Sequence, residues 1–195
     1  YDERIRGQRP QNLEQAIYHY KQALQVYAPE AFPVNWAMVQ HNLAAAYGNR
    51  IAGEHAENLE QSIHHYNQAL RVYTPEAFPE QWATVQQNLG TSYAERIGGE
   101  RENLERAIGC YQQALVVFTK EDYPIDWAAT QHGLGRAYLE RVWGDPAENL
   151  EQAVQCFEKA LQVRTKRSFS HPWAETQNGL ASAYLIRLRG ERAEN

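Results

Sequence analysis

The sequence contains few cysteines and no long apolar segment, and both features restrict the kind of protein it encodes. Two cysteines in 195 residues are too few for a disulfide framework, which favours a reducing compartment. No apolar run approaches the roughly 18 residues that a membrane-spanning helix needs. We therefore expect a cytoplasmic protein without a membrane partner.

Clustered positive charge is also scarce. The 24 acidic side chains outnumber the 19 basic ones, which gives a net charge of −5. The only local basic cluster is Arg164, Lys166 and Arg167, which we interpret as a solvated turn. A nucleic-acid surface needs clustered Lys and Arg to meet the phosphate charge, so we expect no nucleic-acid partner.

The usual signatures of catalytic and metal sites are missing as well. The seven histidines form no i, i+4 pair and no His-Glu-x-x-His motif, which removes the basis for a zinc hydrolase. Gly98 and Gly99 follow no strand and precede no Lys-Ser/Thr, so they do not indicate a phosphate-binding loop. We predict no enzyme, no cofactor and no metal site.

What the chain does contain is one pattern in four copies. The string Asn-Leu-Glu-Gln-Ala-Ile at residues 12–17 recurs in close variants after 46, 45 and 46 residues. A second string, Trp-Ala-x-x-Gln-x-x-Leu, begins at Trp36, Trp82, Trp127 and Trp173. Residues 1–6 match the tail of an earlier helix and residues 194–195 the start of a fifth copy. We therefore expect a fragment of a longer protein.

Apolar residues within each copy recur at steps of three and four, which indicates amphipathic α-helices. Asn12, Asn58, Asn103 and Asn149 are the expected N-caps, since an Asn side chain can accept from a free backbone N–H of the first turn. We predict eight helices, near residues 11–27, 34–52, 57–73, 80–97, 102–118, 125–142, 148–164 and 172–189.

A single pair of amphipathic helices cannot bury its apolar face, so successive pairs must stack. This predicts an all-α solenoid of antiparallel helix pairs at 34–73, 80–118 and 125–164, flanked by helices 11–27 and 172–189, as one array over residues 1–195. The repeated Trp and Gln residues are interpreted as structural, and Cys110 and Cys156, at equivalent repeat positions, as free thiols. Small residues are expected where helices approach closely, at Ala44, Gly90, Gly135 and Ala181, with Tyr47, Tyr93, Tyr138 and Tyr184 filling the core.

These copies resemble the tetratricopeptide repeat. Leu-Gly-x-x-Tyr at 89–93 and 134–138 is similar to the first helix of that repeat, and Ala107, Tyr111 and Ala114 match the second. The period here is longer than the family's 34 residues and is similar to the elongated repeats of kinesin light chains and long bacterial arrays. The resemblance implies a right-handed α-solenoid that serves as a protein-interaction scaffold. Armadillo and HEAT arrays share the period but lack these residues.

The resemblance also implies where a partner binds, because the first helices of tetratricopeptide repeats line a concave groove. The corresponding groove positions are Met38, His41, Ala45, Asn49, Thr84, Gln87, Thr91, Glu95, Ala129, His132, Arg136, Glu140, Glu175, Asn178, Ser182 and Ile186. Trp143 is a further candidate, as an exposed hot spot, because other copies carry small or polar residues at its position.

Two functions fit these features. The first is a non-catalytic scaffold that binds a peptide or partner protein in the groove, as the recognition array of a larger signalling protein. The alternative is a structural spacer or self-associating solenoid, since a solenoid without capping repeats exposes apolar surface at its ends and can associate end to end.

Overall fold

The structure, a computed structural model, describes residues 9–96 and 101–193. Over these residues the chain forms eight α-helices and no strand, which confirms the all-α prediction. The helices are α1 Arg9–Ala23, α2 Pro33–Gly48, α3 His55–Ala69, α4 Pro79–Glu95, α5 Arg101–Val117, α6 Pro124–Glu140, α7 Pro146–Leu161 and α8 Ser170–Ala193. The predicted helix tail at residues 1–6, the fifth copy at 194–195 and Gly98–Gly99 lie outside the described residues.

The helices fall into two compact units, with α1–α4 in unit 1 (residues 1–97) and α5–α8 in unit 2 (residues 98–195). We call the helices with the Trp-Ala string A helices (α2, α4, α6, α8) and the others B helices. Within each unit, successive helices pack on one another, and the two A helices also touch, α2 with α4 and α6 with α8. Stacked helical hairpins of this kind define an α-solenoid, as predicted.

Two B helices end four residues earlier than predicted. Helix α1 ends at Ala23 and α3 at Ala69, not at 27 and 73, and an aromatic contact follows each of them. The ring of Tyr27 meets Phe32 edge-on at 5.7 Å, and Tyr73 meets Phe78 in the same way at 5.5 Å. A proline then occupies the first turn of the next A helix, as expected.

The predicted Asn N-caps are wrong, because each Asn already lies inside its helix. The backbone N–H of Asn58 donates to Glu54 O at 3.0 Å, and α7 is capped instead by Asp145, whose side chain accepts from the N–H of Ala147 at 2.7 Å. The Asn side chains hold the connectors: Nδ2 of Asn58 donates to Ala52 O at 2.9 Å, and Nδ2 of Asn149 to Trp143 O at 2.6 Å. Asn12 and Asn103 likewise follow the start of α1 and α5.

The core contains the predicted stripe and a second buried face that the sequence analysis missed. Leu43 and Ala44 are fully buried on the predicted stripe. The missed face consists of Val39, Val85, Thr130 and Thr176, all at most 4% exposed. Val85 and Thr176 lie on α4 and α8, which pack on the preceding B helix and on the preceding A helix of the same unit, so these contacts are sufficient to cover this face.

Close helix contact explains the glycines of the A helices in unit 2. A Cβ atom on Gly135 would lie 3.0 Å from the ring of Phe157 and 3.2 Å from Cys156 Cβ, which agrees with the predicted close approach. Gly179, which the sequence analysis did not single out, is tighter still, with Phe157 at 2.7 Å.

Two predicted core positions are exposed instead. Tyr184 is 45% exposed, because α8 is the last described helix and only its α6- and α7-facing side is covered. Ala181, expected where helices approach closely, is exposed on the same helix. Cys110 and Cys156 are free, as predicted, and burial raises the pKa of each thiol to about 11.

Candidate partner-binding surface

The sixteen predicted groove residues lie on the four A helices or, for Asn49, at the C-cap of α2, and none is fully buried. Met38, Asn49, Thr91, Glu95, Arg136, Glu140, Glu175, Asn178 and Ile186 are exposed, whereas His41, Ala45, Thr84, Gln87, Ala129, His132 and Ser182 are half-buried. We call these residues the A-helix surface. The repeated Leu residues on α2, α4 and α6 are buried, so the A helices separate a constant core from a variable surface.

Unit 1 has a pocket of about 200 Å³ between α2 and α4 on this surface. Its lining residues are Met38, His41, Tyr73, Glu80, Gln81 and Thr84. Three predicted residues therefore come together there. The pocket combines apolar and aromatic side chains with one carboxylate, and burial lowers the pKa of His41 from its usual value.

Unit 2 has a pocket at the corresponding place, between the start of α6 and the turn before α8, and it is smaller, at about 60 Å³. Its lining residues are Ile125, Ala128, Ala129, Val163, Arg164, Phe169 and Pro172. Of the predicted surface residues only Ala129 contributes. Arg164 occupies the repeat position of Tyr73.

Arg164 is not in a solvated turn, which corrects the prediction for this basic cluster. It is half-buried, and its Nη1 donates to Thr176 Oγ1 at 3.0 Å and to Pro172 O at 3.4 Å. Burial lowers the pKa of its guanidinium. The sequence signal for this site was the Arg itself, at a position where three copies carry Tyr or Phe.

His132 belongs to the same hydrogen-bond network. Thr176 Oγ1 donates to Pro172 O at 2.8 Å, so the contact of 3.1 Å to His132 Nδ1 is a hydrogen bond donated by the ring. Burial, with the positive charges of Arg164 and Arg136, lowers the pKa of His132 to about 4. The imidazole is therefore neutral at pH 7, and its ring positions the Thr176 hydroxyl.

Arginines of the connectors form a network that the sequence analysis missed. Arg50 binds both carboxylate oxygens of Glu14, at 2.7 and 2.9 Å, and donates to Asn58 Oδ1 at 3.3 Å. Each copy contains one such ion pair, in which the Arg follows its Glu partner by 36 residues. The pairs are Arg50–Glu14, Arg96–Glu60, Arg141–Glu105 and Arg187–Glu151. They join an A helix, or the connector after it, to the preceding B helix, and Arg187 lies within α8. The constant spacing was the available signal.

The repeated Trp and Gln residues are mainly structural. Trp36 is 7% exposed, and Gln40 is buried and accepts a hydrogen bond from His65 Nδ1 at 2.6 Å. Burial, with the charges of His64 and Lys21, lowers the pKa of His65 to about 4. Trp143 differs, since it is 56% exposed in the connector before α7.

The described residues contain no group of three or more side chains that could hold a metal ion. Among the same residues, no helix is both long and apolar enough to cross a lipid bilayer.

Comparison with protein families identifies these copies. The model of the Sel1 repeat matches residues 4–25, 37–71, 83–115 and 128–162, more than half of the chain. The chain belongs to the Sel1 repeat family. The last three of these Sel1 matches each begin within an A helix and end within two residues of the end of the following B helix. Sel1 repeats are tetratricopeptide-like helical repeats, so the broader resemblance is confirmed.

Known structures agree on the fold. A crystal structure of MamA is similar to this chain with a TM-score of 0.54 and 16% sequence identity, over 100% of this chain and 96% of that chain. At that identity the similarity concerns the fold alone. No curated protein matched the sequence.

Proposed function

We propose that this Sel1-repeat chain is a non-catalytic scaffold whose A-helix surface binds a peptide or a partner protein. Repeats of this tetratricopeptide-like class generally mediate protein–protein interactions. The observation that carries the proposal is the pocket between α2 and α4, where Met38, His41 and Thr84 face one accessible cavity while the repeated Leu residues of both helices are buried. These three positions were predicted from the resemblance to the elongated tetratricopeptide repeat.

The best ligand for such a surface is an extended or helical segment of a partner, held by several weak contacts. The unit 1 pocket is large enough for a bulky side chain, and the exposed residues around it include both amides and charges. Trp143 adds an exposed aromatic group that fits a binding hot spot. We propose that this array is the recognition part of a larger cytoplasmic signalling protein.

A capture experiment with matched variants tests this function. Met38→Asp with Arg136→Glu changes the A-helix surface of both units. Val116→Asp with Arg106→Glu makes the same chemical changes on the exposed side of α5, a B helix. The pairs are matched because Met38 and Val116 are exposed, and because Arg136 and Arg106 each form an i, i+4 ion pair.

Proteins cross-linked to the wild type in extracts of its source are identified by mass spectrometry. We expect the A-helix variant to lose its partners while the α5 variant keeps them. If both variants capture the same partners as the wild type, the A-helix surface is not the binding site.

A second candidate function, self-association, is favoured by the exposed apolar residues of α8. Tyr184, Leu185, Ile186 and Leu188 are each 44–51% exposed, on the helix that has no successor among the described residues. Light scattering between 1 and about 500 µM, a range in which weak protein contacts form, tests it. A rise in mass that Leu188→Lys abolishes would support self-association, and a constant monomer mass would exclude it.

A further inference from the structure

We infer that the pocket of unit 2 is a carboxylate-binding site in which Arg164 receives an acidic group of the partner. This inference rests on the proposed function, because it names the chemistry of one contact on the same scaffold. Three observations support it: the residue that Arg164 replaces, the lack of a carboxylate beside it, and the size of the pocket.

Arg164 occupies a position where other copies have an aromatic pair. Tyr27, Tyr73 and Phe118 stand at this position, and each ring meets the aromatic residue five positions later at 5.4–5.7 Å. In this copy the later residue is still aromatic, Phe169, and it lines the same pocket as Arg164. A residue that departs from the local packing pattern of the other copies is a marker of a functional position.

The charge of Arg164 has no counter-charge in contact with it. Among the described residues, no carboxylate lies within ion-pair distance of its guanidinium, and the acidic residue that influences it, Glu175, contacts His171 at 3.6 Å instead. Its described hydrogen bonds use only Nη1, although a guanidinium has five N–H donors. A half-buried charge without a counter-charge is costly, and a carboxylate bound by two parallel hydrogen bonds would offset that cost.

The pocket selects a small acidic group. Its volume of about 60 Å³ has room for a carboxylate but not for a large side chain, and Ile125, Val163 and Phe169 supply apolar walls. Apolar walls lower the local dielectric constant, which strengthens an Arg–carboxylate pair. Arg136 adds positive charge on the same side, since it acts on His132 together with Arg164. The pocket of unit 1, with Tyr73 and Glu80 in the equivalent region, offers no such partner.

The test uses small probes, so that it is independent of any protein partner. The ¹⁵N-labelled chain is titrated at constant ionic strength with N-acetylglycine, which has a terminal carboxylate, and with N-acetylglutamate α-amide, which has a side-chain carboxylate. N-acetylglutamine amide is the neutral control and inorganic phosphate the competing anion. The backbone amide peaks of Ala129 and Thr176 report binding.

We expect a saturable shift of both peaks with at least one carboxylate, and none with the neutral amide. Arg164→Tyr restores the residue of the other copies and should weaken binding at least tenfold, as should Arg164→Gln. Arg167→Gln, in the same turn, should bind like the wild type. The preferred probe tells a chain terminus from an acidic side chain.

Three results would overturn the inference: no saturable shift with either carboxylate, shifts in Arg164→Tyr and Arg164→Gln equal to those of the wild type, or tighter binding of phosphate than of both carboxylates. Any of them leaves partner capture by the rest of the A-helix surface intact. Conversely, a failed capture experiment does not alter these titrations, so the two proposals fail separately.

Discussion

Units 1 and 2 have the same repeat architecture but differ at one equivalent pocket. In unit 1 the pocket contains Tyr73, which is 6% exposed and packs on Phe78, whereas unit 2 has the half-buried Arg164 facing Phe169. His41 in unit 1 and His132 in unit 2 occupy equivalent repeat positions, and burial lowers the pKa of each. A repeat scaffold can therefore keep its core and change the chemistry of a pocket through one residue.

The largest expected effect concerns the close packing of unit 2. Ala44 of unit 1 is fully buried, and its equivalent in unit 2 is Gly135, where even a Cβ atom would lie 3.0 Å from Phe157. We expect Gly135→Leu to lower the free energy of unfolding by about 1–3 kcal/mol through overpacking. Urea denaturation measures this change.

Gly109 provides the matched control, because a Cβ atom added there meets nothing within 4 Å. Gly109→Ala should raise the free energy of unfolding by up to about 1 kcal/mol, since alanine favours the helix. If Gly135→Leu leaves stability unchanged, the two helices do not pack as closely as the structure indicates.

The next effect is a loss of stability on acidification, shared by both units. The folded pKa of His65 in unit 1 and of His132 in unit 2 is about 4, against about 6.5 for an unfolded histidine. Because the unfolded chain binds these protons first, each histidine lowers stability as pH falls from about 6.5 to 4, and one pH unit below 6.5 the loss is at most about 1.4 kcal/mol per histidine. Above pH 6.5 this contribution to stability is complete.

Chemical denaturation at several pH values measures the slope. His132→Gln keeps a donor for Thr176 but cannot be protonated, so it should reduce the slope between pH 6.5 and 4.5. Equal slopes for wild type and His132→Gln would show that His132 is not protected from protonation.

The smallest expected effect concerns how much Arg164 lowers the stability of unit 2. Arg164→Tyr should form the aromatic pair with Phe169 that the other copies contain, which raises the free energy of unfolding by about 0.5–1.5 kcal/mol. Thermal denaturation compares it with Arg167→Tyr, an exposed neighbour that should change little. A less stable Arg164→Tyr would mean that unit 2 is built around the arginine, and the contrast with unit 1 would lose its energetic basis.

The repeat period and the apolar spacing were sufficient to predict the fold class and the eight helices of the described residues. They predicted Leu43 and Gln40 as buried for a simple reason, since both recur in every copy. The sequence analysis missed the second buried face because this face contains both Val39 and Thr130. A Thr is classed as polar, so its burial can be recognised only from the packing around it. The Asn residues looked like caps because Asn favours helix ends, but here they bind connector carbonyls within the first turn.

The candidate site was only partly predictable. The register placed Met38, His41 and Thr84 on accessible A-helix positions, and the structure brings them to one pocket. The contacts of Arg164 could not be predicted from the sequence, because its partners Thr176 and Pro172 lie 12 and 8 residues away along the chain. Its sequence neighbours, Lys166 and Arg167, suggested a solvated cluster.

Site-specific photo-cross-linking tests the central claim most directly. A photoreactive phenylalanine is placed at Met38 or Arg136 on A helices, and at Gln61 or Val116 on B helices, all exposed positions. We predict partner cross-links from Met38 and Arg136 and none from Gln61 and Val116. Cross-links from the B-helix positions alone would contradict the account.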